Sequence, residues 1–264
     1  MEKAQAMLAT DMDGTIIPLE VSPEQKDAIR RFRDTVEKKP DFCLAYVTGR
    51  DLPLAEKGIR QHELPVPDIL VCDVGTSVYH RTENGFQEDP EYVGLMEEAR
   101  GGMDVRDARH ELAHLPELLI QVDEKQSASK LSYHLTRESD HQEVVASVHD
   151  RLREMGGGLQ AVYSVGAPHG TGLLDVLPNG VAKDFAIKYL QAHTGVPADA
   201  MVYAGDSGND LAALLAGYQA IVVGNATPGL KEELTVRSKE MGISHQLYFA
   251  QRFYVSGVME GSRH

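Results

Sequence analysis

Two aspartates separated by one residue, Asp11 and Asp13, carry the clearest chemical signal in this sequence. They follow the apolar run 6–9 and precede Gly14, so a buried strand would end where the carboxylates begin. Open α/β sheets bind ligands at that edge, and glycine allows an immediate turn. Two close carboxylates repel each other unless a cation joins them, and Mg²⁺ prefers oxygen ligands. The pattern therefore predicts phosphoryl transfer, with one aspartate as nucleophile and the other exchanging protons. Taken alone, the same string also fits an acidic β-turn in a surface loop or a calcium loop.

A second apolar run, residues 42–47, ends in Thr48, Gly49 and Arg50. If this run is also a strand, its end offers a hydroxyl group, free backbone N–H groups and a cation. These three groups together could hold a phosphate.

A third apolar run, residues 201–204, ends in an acidic cluster that contains Asp206 and Asp210. This cluster could complete a metal site with the first pair of aspartates. Between the two acidic clusters, Lys183 follows a Pro-Asn-Gly turn and opens a helical stretch. A lysine at that position could reach a phosphate as a point charge.

The order of these motifs resembles that of the haloacid dehalogenase (HAD) superfamily of phosphatases. Along the chain they are Asp-x-Asp-Gly-Thr, Thr-Gly-Arg, a lysine and Gly-Asp-x-x-Asn-Asp. The resemblance implies that Asp11 forms an aspartyl-phosphate and that Asp13 is the general acid and base. It implies a phosphate-binding set of Thr48, Gly49, Lys183 and Asn209. It also implies Mg²⁺ as cofactor, held by Asp11, the Asp13 carbonyl and Asp206, with Asp210 orienting water or Lys183 behind them.

The segments that flank these motifs resemble sucrose-phosphate phosphatases, which are sugar phosphatases with a C2-type cap. The matching segments are 73–80, 130–135, 175–178, 205–210, 248–251 and 257–261. This resemblance implies a Mg²⁺-dependent phosphatase whose leading substrate is sucrose 6-phosphate.

Three residues depart from the usual pattern of the sucrose enzymes: Gly14 replaces Asn, Ser77 replaces Glu, and Asp184 replaces Gly. Another sugar or glycosyl phosphate, such as mannosyl-3-phosphoglycerate or an amino-sugar phosphate, therefore stays open as the substrate. A non-catalytic regulatory domain of the same fold is a further alternative. The complete set of charged motif residues argues against it.

The order of the elements predicts an α/β fold. Apolar strands alternate with helices, including a helix over 23–37 that Ser22 caps, and this rhythm favours a Rossmann-like core of parallel strands. Turn residues and an acidic helix follow residue 81. We therefore expect a core of residues 1–81 and 175–264, with an inserted α/β cap of residues 82–174.

The predicted cap contains Lys130, Ser132 and His134, which alternate along a predicted strand and so share one face. That face either contacts sugar hydroxyls or is turned toward water. Arg50, in the core, either contacts the substrate or the cap, or forms an ion pair within the core.

Composition restricts the partners of the protein. The chain of 264 residues carries 26 Lys and Arg against 40 Asp and Glu, a net charge of −14, which disfavours nucleic acid. No apolar stretch has the length of a membrane span, and the N-terminus lacks a signal-peptide profile, so we expect a cytoplasmic protein with a small-molecule substrate. The oligomeric state stays open, as does an association with a sugar-phosphate synthase.

One competing motif, His110-Glu111-Leu112-Ala113-His114, matches the H-E-x-x-H pattern of zinc hydrolases. Zinc catalysis requires both histidines on one face of a helix. Pro116 follows two residues after the second histidine and favours an earlier helix end. We therefore interpret the motif as a solvated helix end.

Overall fold

The strands of the computed structural model form two sheets within the described residues, which are 4–136, 140–166 and 171–263. They are β1 (Ala6–Thr10), β2 (Phe42–Val47), β3 (Ile69–Cys72), β4 (Ser77–Thr82), β5 (Gly85–Glu88), β6 (Leu118–Ile120), β7 (Leu131–Leu135), β8 (Leu159–Gly166), β9 (Thr171–Pro178), β10 (Met201–Gly205), β11 (Gln219–Val222) and β12 (Leu247–Phe249). The order is β12-β11-β10-β1-β2-β3-β4-β5 in the larger sheet and β6-β7-β9-β8 in the smaller.

The helices of the same ranges are α1 (Pro23–Val36), α2 (Leu52–Gln61), α3 (Pro90–Arg100), α4 (Val105–Leu112), α5 (His141–Glu154), α6 (Lys183–Thr194), α7 (Leu211–Leu214), α8 (Pro228–Glu240) and α9 (Tyr254–Gly261). The Ser22 side chain accepts a hydrogen bond from the Gln25 N–H at 3.2 Å, which confirms the predicted cap of α1. None of these helices combines the length and the apolar content that crossing a membrane requires.

The larger sheet is parallel from β12 to β3, and β4 and β5 join it as antiparallel strands. Its central strands are covered on both faces. Met7 and Ala9 pack toward one layer of helices, including α6 and α8, while Leu8 packs toward α1, α2 and α9 on the other. Burial on both faces explains why these strands have continuous apolar runs instead of alternating ones. The predicted Rossmann-like α/β core is confirmed.

The smaller sheet forms the cap, with α4 and α5 packed on one face. Two strands do not follow the predicted cap boundaries of 82–174. Strand β5 belongs to the larger sheet, and β9 continues in the smaller sheet to Pro178. The position of each strand in its sheet accounts for both differences. The β4–β5 hairpin lies at the sheet edge and so carries exposed polar residues. Strand β9 lies inside its sheet, and its sequence is mostly apolar, like that of a core strand.

Candidate active site

The predicted motif residues converge at the carboxyl ends of three adjacent parallel strands. Asp11 follows β1, Thr48 follows β2, and Asp206 follows β10. Because β1 pairs with both β2 and β10, these ends meet at one edge of the sheet. Lys183, the first residue of α6, reaches the same point.

Lys183 lies at the centre of this arrangement and is fully buried. Its Nζ atom lies 2.7 Å from Asp11 Oδ1 and 2.7 Å from Asp210 Oδ1. Burial disfavours the charged lysine, but the two carboxylates outweigh that penalty and raise the pKa of Lys183. The ammonium group is therefore held charged next to Asp11.

Asp210 has hydrogen-bond donors on both carboxylate oxygens. Its Oδ1 accepts from Lys183 and from the Tyr203 hydroxyl at 2.5 Å. Its Oδ2 accepts from the backbone N–H groups of Asp206 at 3.1 Å and Ser207 at 3.0 Å. One of these donors is the Lys183 ammonium group, which favours a role for Asp210 behind the lysine, holding it and the loop in place, over direct metal ligation.

The carboxylates of Asp11 and Asp206 fit a divalent cation, with Asp210 directly behind them. One oxygen from each lies within 4.8 Å of the others. Burial, together with the neighbouring carboxylates, raises the pKa of Asp11 well above its usual value and that of Asp206 to about 7. Lys183 alone thus leaves negative charge uncompensated at this edge. An all-oxygen donor set with excess negative charge suits Mg²⁺.

Mg²⁺ is expected to raise the melting temperature of the wild-type protein by about 5–10 °C at a concentration a hundred times its Kd. In Asp206→Asn this rise should fall to near zero, because a neutral amide is a poor ligand. Differential scanning fluorimetry with and without EDTA measures both. Asp199→Asn, at an exposed position, is the matched control. An equal rise in Asp206→Asn and the wild type would remove Asp206 from the metal site.

Asp13 is half exposed and forms a two-point ion pair with Arg50, whose Nε and Nη2 atoms lie 2.7 Å and 2.5 Å from its oxygens. Of the roles considered for Arg50, the structure therefore shows the ion pair within the core. Two glycines leave space for charged side chains of the site, Gly58 for Arg50 and Gly14 for Asp206. A Cβ atom on Gly58 would lie 2.5 Å from Arg50 Nη1, and one on Gly14 would collide with the Asp206 carboxylate.

The other predicted phosphate-binding residues line a cavity of about 350 Å³ between the core and the cap. The Thr48 hydroxyl is buried and accepts a hydrogen bond from the Arg50 N–H at 3.2 Å. The Gly49 carbonyl faces Lys130 of the cap, and Asn209 accepts from the Ser207 hydroxyl at 3.0 Å. The cavity thus joins the predicted phosphate-binding motifs to the cap.

Lys130 connects the cap to the core through buried polar contacts. Its Nζ atom donates to the Gly49 carbonyl at 3.1 Å and lies 2.8 Å from Asp73 Oδ1. Ser132 lines the same cavity and donates to Asp175 Oδ1. His134 is exposed and is not part of the cavity lining.

The cavity residues that were not identified from the sequence include Gln121, Lys125 and Asp175. Asp175 was expected at the return to the core, but it lies in β9 and is buried against Ser132. A charged residue inside an apolar strand was the signal that could have found it. Lys125 is part-buried, and among the described residues no carboxylate lies within ion-pair distance of it. Burial lowers its pKa, and the nearby Lys130 adds to that effect.

The H-E-x-x-H motif does not form a zinc-protease arrangement. Helix α4 ends at Leu112, so His114 lies beyond it, and both histidines are exposed. Their ring centroids lie 6.5 Å apart. The interpretation of this segment as a solvated helix end is confirmed.

Comparison with known proteins agrees with the site geometry. The family model for sucrose-6F-phosphate phosphohydrolase matches residues 4–264. A probable sucrose-phosphatase 2 of Arabidopsis thaliana is 29% identical over 210 residues, which cover 77% of this chain and 46% of that protein. The chain thus spans about half the length of that relative. The mannosylfructose-phosphate phosphatase of Agrobacterium fabrum is 26% identical over 272 residues, covering 99% of this chain and 97% of its own.

Among solved structures, a sucrose-phosphatase from Synechocystis, in complex with sucrose and phosphate, matches with a TM-score of 0.82. It is 26% identical, and the match covers 99% of this chain and 98% of that one. The fold, the converging acidic motifs and the family match agree with one another. The chain belongs to the sucrose-6F-phosphate phosphohydrolase family of HAD-like hydrolases and is a phosphatase.

Proposed function

We propose that this phosphatase hydrolyses sucrose 6-phosphate in a Mg²⁺-dependent reaction, through a covalent phosphate on Asp11. The observation that carries the proposal is the Asp11 carboxylate, held by a fully buried lysine at a cavity whose other wall is the polar face of the cap. The Synechocystis relative, solved with sucrose and phosphate, supports the choice of sugar.

In the first step the Asp11 carboxylate attacks phosphorus and the bond from phosphorus to the sugar oxygen breaks. Asp13 gives its proton to that oxygen, and the sugar leaves as an alcohol. In the second step Asp13 takes a proton from water, which attacks the phosphorus and releases phosphate and free Asp11. Lys183 and Thr48 hold the phosphoryl oxygens throughout. Bound Mg²⁺ would supply further neutralisation of their charge.

The ion pair between Asp13 and Arg50 has a role in this scheme. Asp13 must separate from Arg50 before it can transfer a proton, because both of its oxygens accept hydrogen bonds from the guanidinium group. Arg50 also lines the cavity, so an arriving phosphate dianion competes with Asp13 for the guanidinium group. Substrate binding would then free Asp13 for proton transfer.

Lys125→Met is expected to raise KM for sucrose 6-phosphate about tenfold, the effect of losing one charge-assisted hydrogen bond. Lys125 lines the cavity on the cap side, so we expect it to bind the sugar portion. Hydrolysis of an aryl phosphate, which lacks the sugar, should be unchanged. His134→Ala is the control, because His134 lies outside the cavity lining. An equal loss on both substrates would place Lys125 at the phosphate instead.

The substrate is tested by phosphate release, with Mg²⁺ or EDTA, from a panel of sugar phosphates and one aryl phosphate. The panel contains sucrose 6-phosphate, mannosylfructose phosphate, mannosyl-3-phosphoglycerate, glucose 6-phosphate and an amino-sugar phosphate. Preference for sucrose 6-phosphate that EDTA abolishes is the expected result. Preference for mannosylfructose phosphate, which the full-length match to the Agrobacterium enzyme makes the second candidate, would keep the mechanism and change the sugar. No release from any compound by folded protein would favour a regulatory domain.

A further inference from the structure

A second group of metal-ligating side chains lies on the core, outside the active site. It consists of His80 on β4, Asp89 at the start of α3 and His193 in the last turn of α6. One ligand atom from each lies within 4.8 Å of the others. None of the three lines the cavity described above.

Asp89 is held in a fixed orientation. Its Oδ1 caps α3 by accepting hydrogen bonds from the N–H groups of Glu91 at 3.0 Å and Tyr92 at 3.2 Å. Its Oδ2 accepts from the Tyr189 hydroxyl at 2.7 Å and lies 2.7 Å from His80 Nε2. The carboxylate is only 5% exposed. The oxygen that faces the imidazole is thus positioned before any ligand arrives.

The second imidazole is also supported from the side. The His193 ring stacks on Tyr189 at a centroid distance of 5.3 Å and an interplanar angle of 26°. Its Nδ1 atom lies 3.8 Å from Glu91 Oε2. Glu91 therefore brings a second carboxylate to the same place, on the first turn of α3.

Two imidazoles and a carboxylate are a donor set for Zn²⁺, whereas Mg²⁺ requires oxygen ligands. Bonds of about 2.0–2.2 Å in a tetrahedral site place neighbouring donor atoms about 3.3–3.6 Å apart. The partly exposed His80 ring would have to move back from its present 2.7 Å contact with Asp89 Oδ2, and the His193 and Glu91 side chains would have to rotate, to reach that range. We propose that His80, Asp89 and His193, with Glu91 as fourth donor, bind one Zn²⁺ ion.

The position of this site indicates a structural role. It would join β4, α3 and α6, and α3 is the helix through which the chain leaves the larger sheet toward the cap. Helix α6 carries Lys183 at its first residue, ten residues or about 15 Å from His193. Bound Zn²⁺ would therefore fix the far end of the helix that supplies the active-site lysine, without contacting the substrate.

The test is a titration of the whole protein with Zn²⁺ in the presence of excess Mg²⁺, in which isothermal calorimetry measures the binding. The wild type should bind one more Zn²⁺ ion than His193→Ala, with phosphatase activity unchanged between the two. Asp89→Asn, which retains a capping side chain, should weaken that binding at least about tenfold. With Co²⁺ in place of Zn²⁺, the wild type should show a visible absorption band that His193→Ala lacks.

The double variant His110→Ala/His114→Ala is the matched control, because it removes two exposed histidines elsewhere. It should bind Zn²⁺ as the wild type does. Equal Zn²⁺ binding by the wild type and His193→Ala would overturn the proposal. Loss of the ion in the double variant alone would also overturn it.

Discussion

Replacing Asp11 by Asn should reduce turnover by at least about 10⁴-fold and leave the fold intact, since loss of a covalent nucleophile has effects of this order. Asparagine has nearly the volume of aspartate and retains a carbonyl that can accept the hydrogen bond from Lys183. Its amide cannot form the covalent phosphate. Burial raises the pKa of Asp11, so removing its charge relieves a desolvation penalty and should not unfold the protein.

The measurement is phosphate release from sucrose 6-phosphate in saturating Mg²⁺, with circular dichroism and melting temperature as tests of the fold. Asp34→Asn, at an exposed position of α1, is the control and should retain full activity. Asp13→Asn gives an independent test with an aryl phosphate, whose leaving group does not require a proton from Asp13, because only release of the phosphate from Asp11 should then be slowed. Mass spectrometry of that variant, quenched during turnover, should detect a phosphorylated chain. A folded Asp11→Asn protein with wild-type activity would exclude Asp11 as the nucleophile.

Replacing Lys183 by Met should damage both stability and activity. Asp11 and Asp210 would lose their shared cation while remaining buried, and loss of one partner from a buried ion pair costs about 3–5 kcal/mol of unfolding free energy. For a chain of this size that corresponds to a melting temperature about 6–20 °C lower. Turnover should fall at least about 10³-fold, because the variant also lacks the charge that we propose stabilises the transferring phosphoryl group.

Thermal denaturation in EDTA measures the stability change without a contribution from Mg²⁺. Lys188→Met is the matched control, since Lys188 lies on the same helix, is half exposed and pairs with Asp184 one turn earlier. Its replacement should change the unfolding free energy by less than about 0.5–1 kcal/mol. A Lys183→Met variant with the melting temperature and the activity of the wild type would show that this lysine contributes to neither stability nor catalysis.

Much of the core could be predicted from the sequence because its signals are local. The apolar runs before Asp11, Thr48 and Asp206 mark buried strands, and parallel strands bring their carboxyl ends to one edge. Proximity of the motif residues then follows from topology alone. The position of Lys183 at the first turn of a helix was likewise readable from the preceding turn.

The cap side of the cavity was less predictable, because its contacts join segments far apart in the chain. Asp73 and Val74 adopt positive φ angles of 53° and 60°, which no sequence pattern indicated. That loop places the Asp73 carboxylate against Lys130, a residue for which solvent exposure was an equal alternative. The position of Lys125 in the cavity could not be predicted, since the sequence alone does not distinguish an exposed lysine from one that lines a cavity.

The charges around Lys183 also predict the order in which a cation and the substrate bind. Among the described side chains there, the carboxylates of Asp11, Asp206 and Asp210 face one ammonium group, so acidic groups are in excess. A phosphate monoester, itself a dianion, would be repelled by that excess, and the net charge of −14 adds to the repulsion. A divalent cation cancels the excess. Steady-state kinetics should therefore show compulsory-order addition, with the cation binding first and the sugar phosphate second.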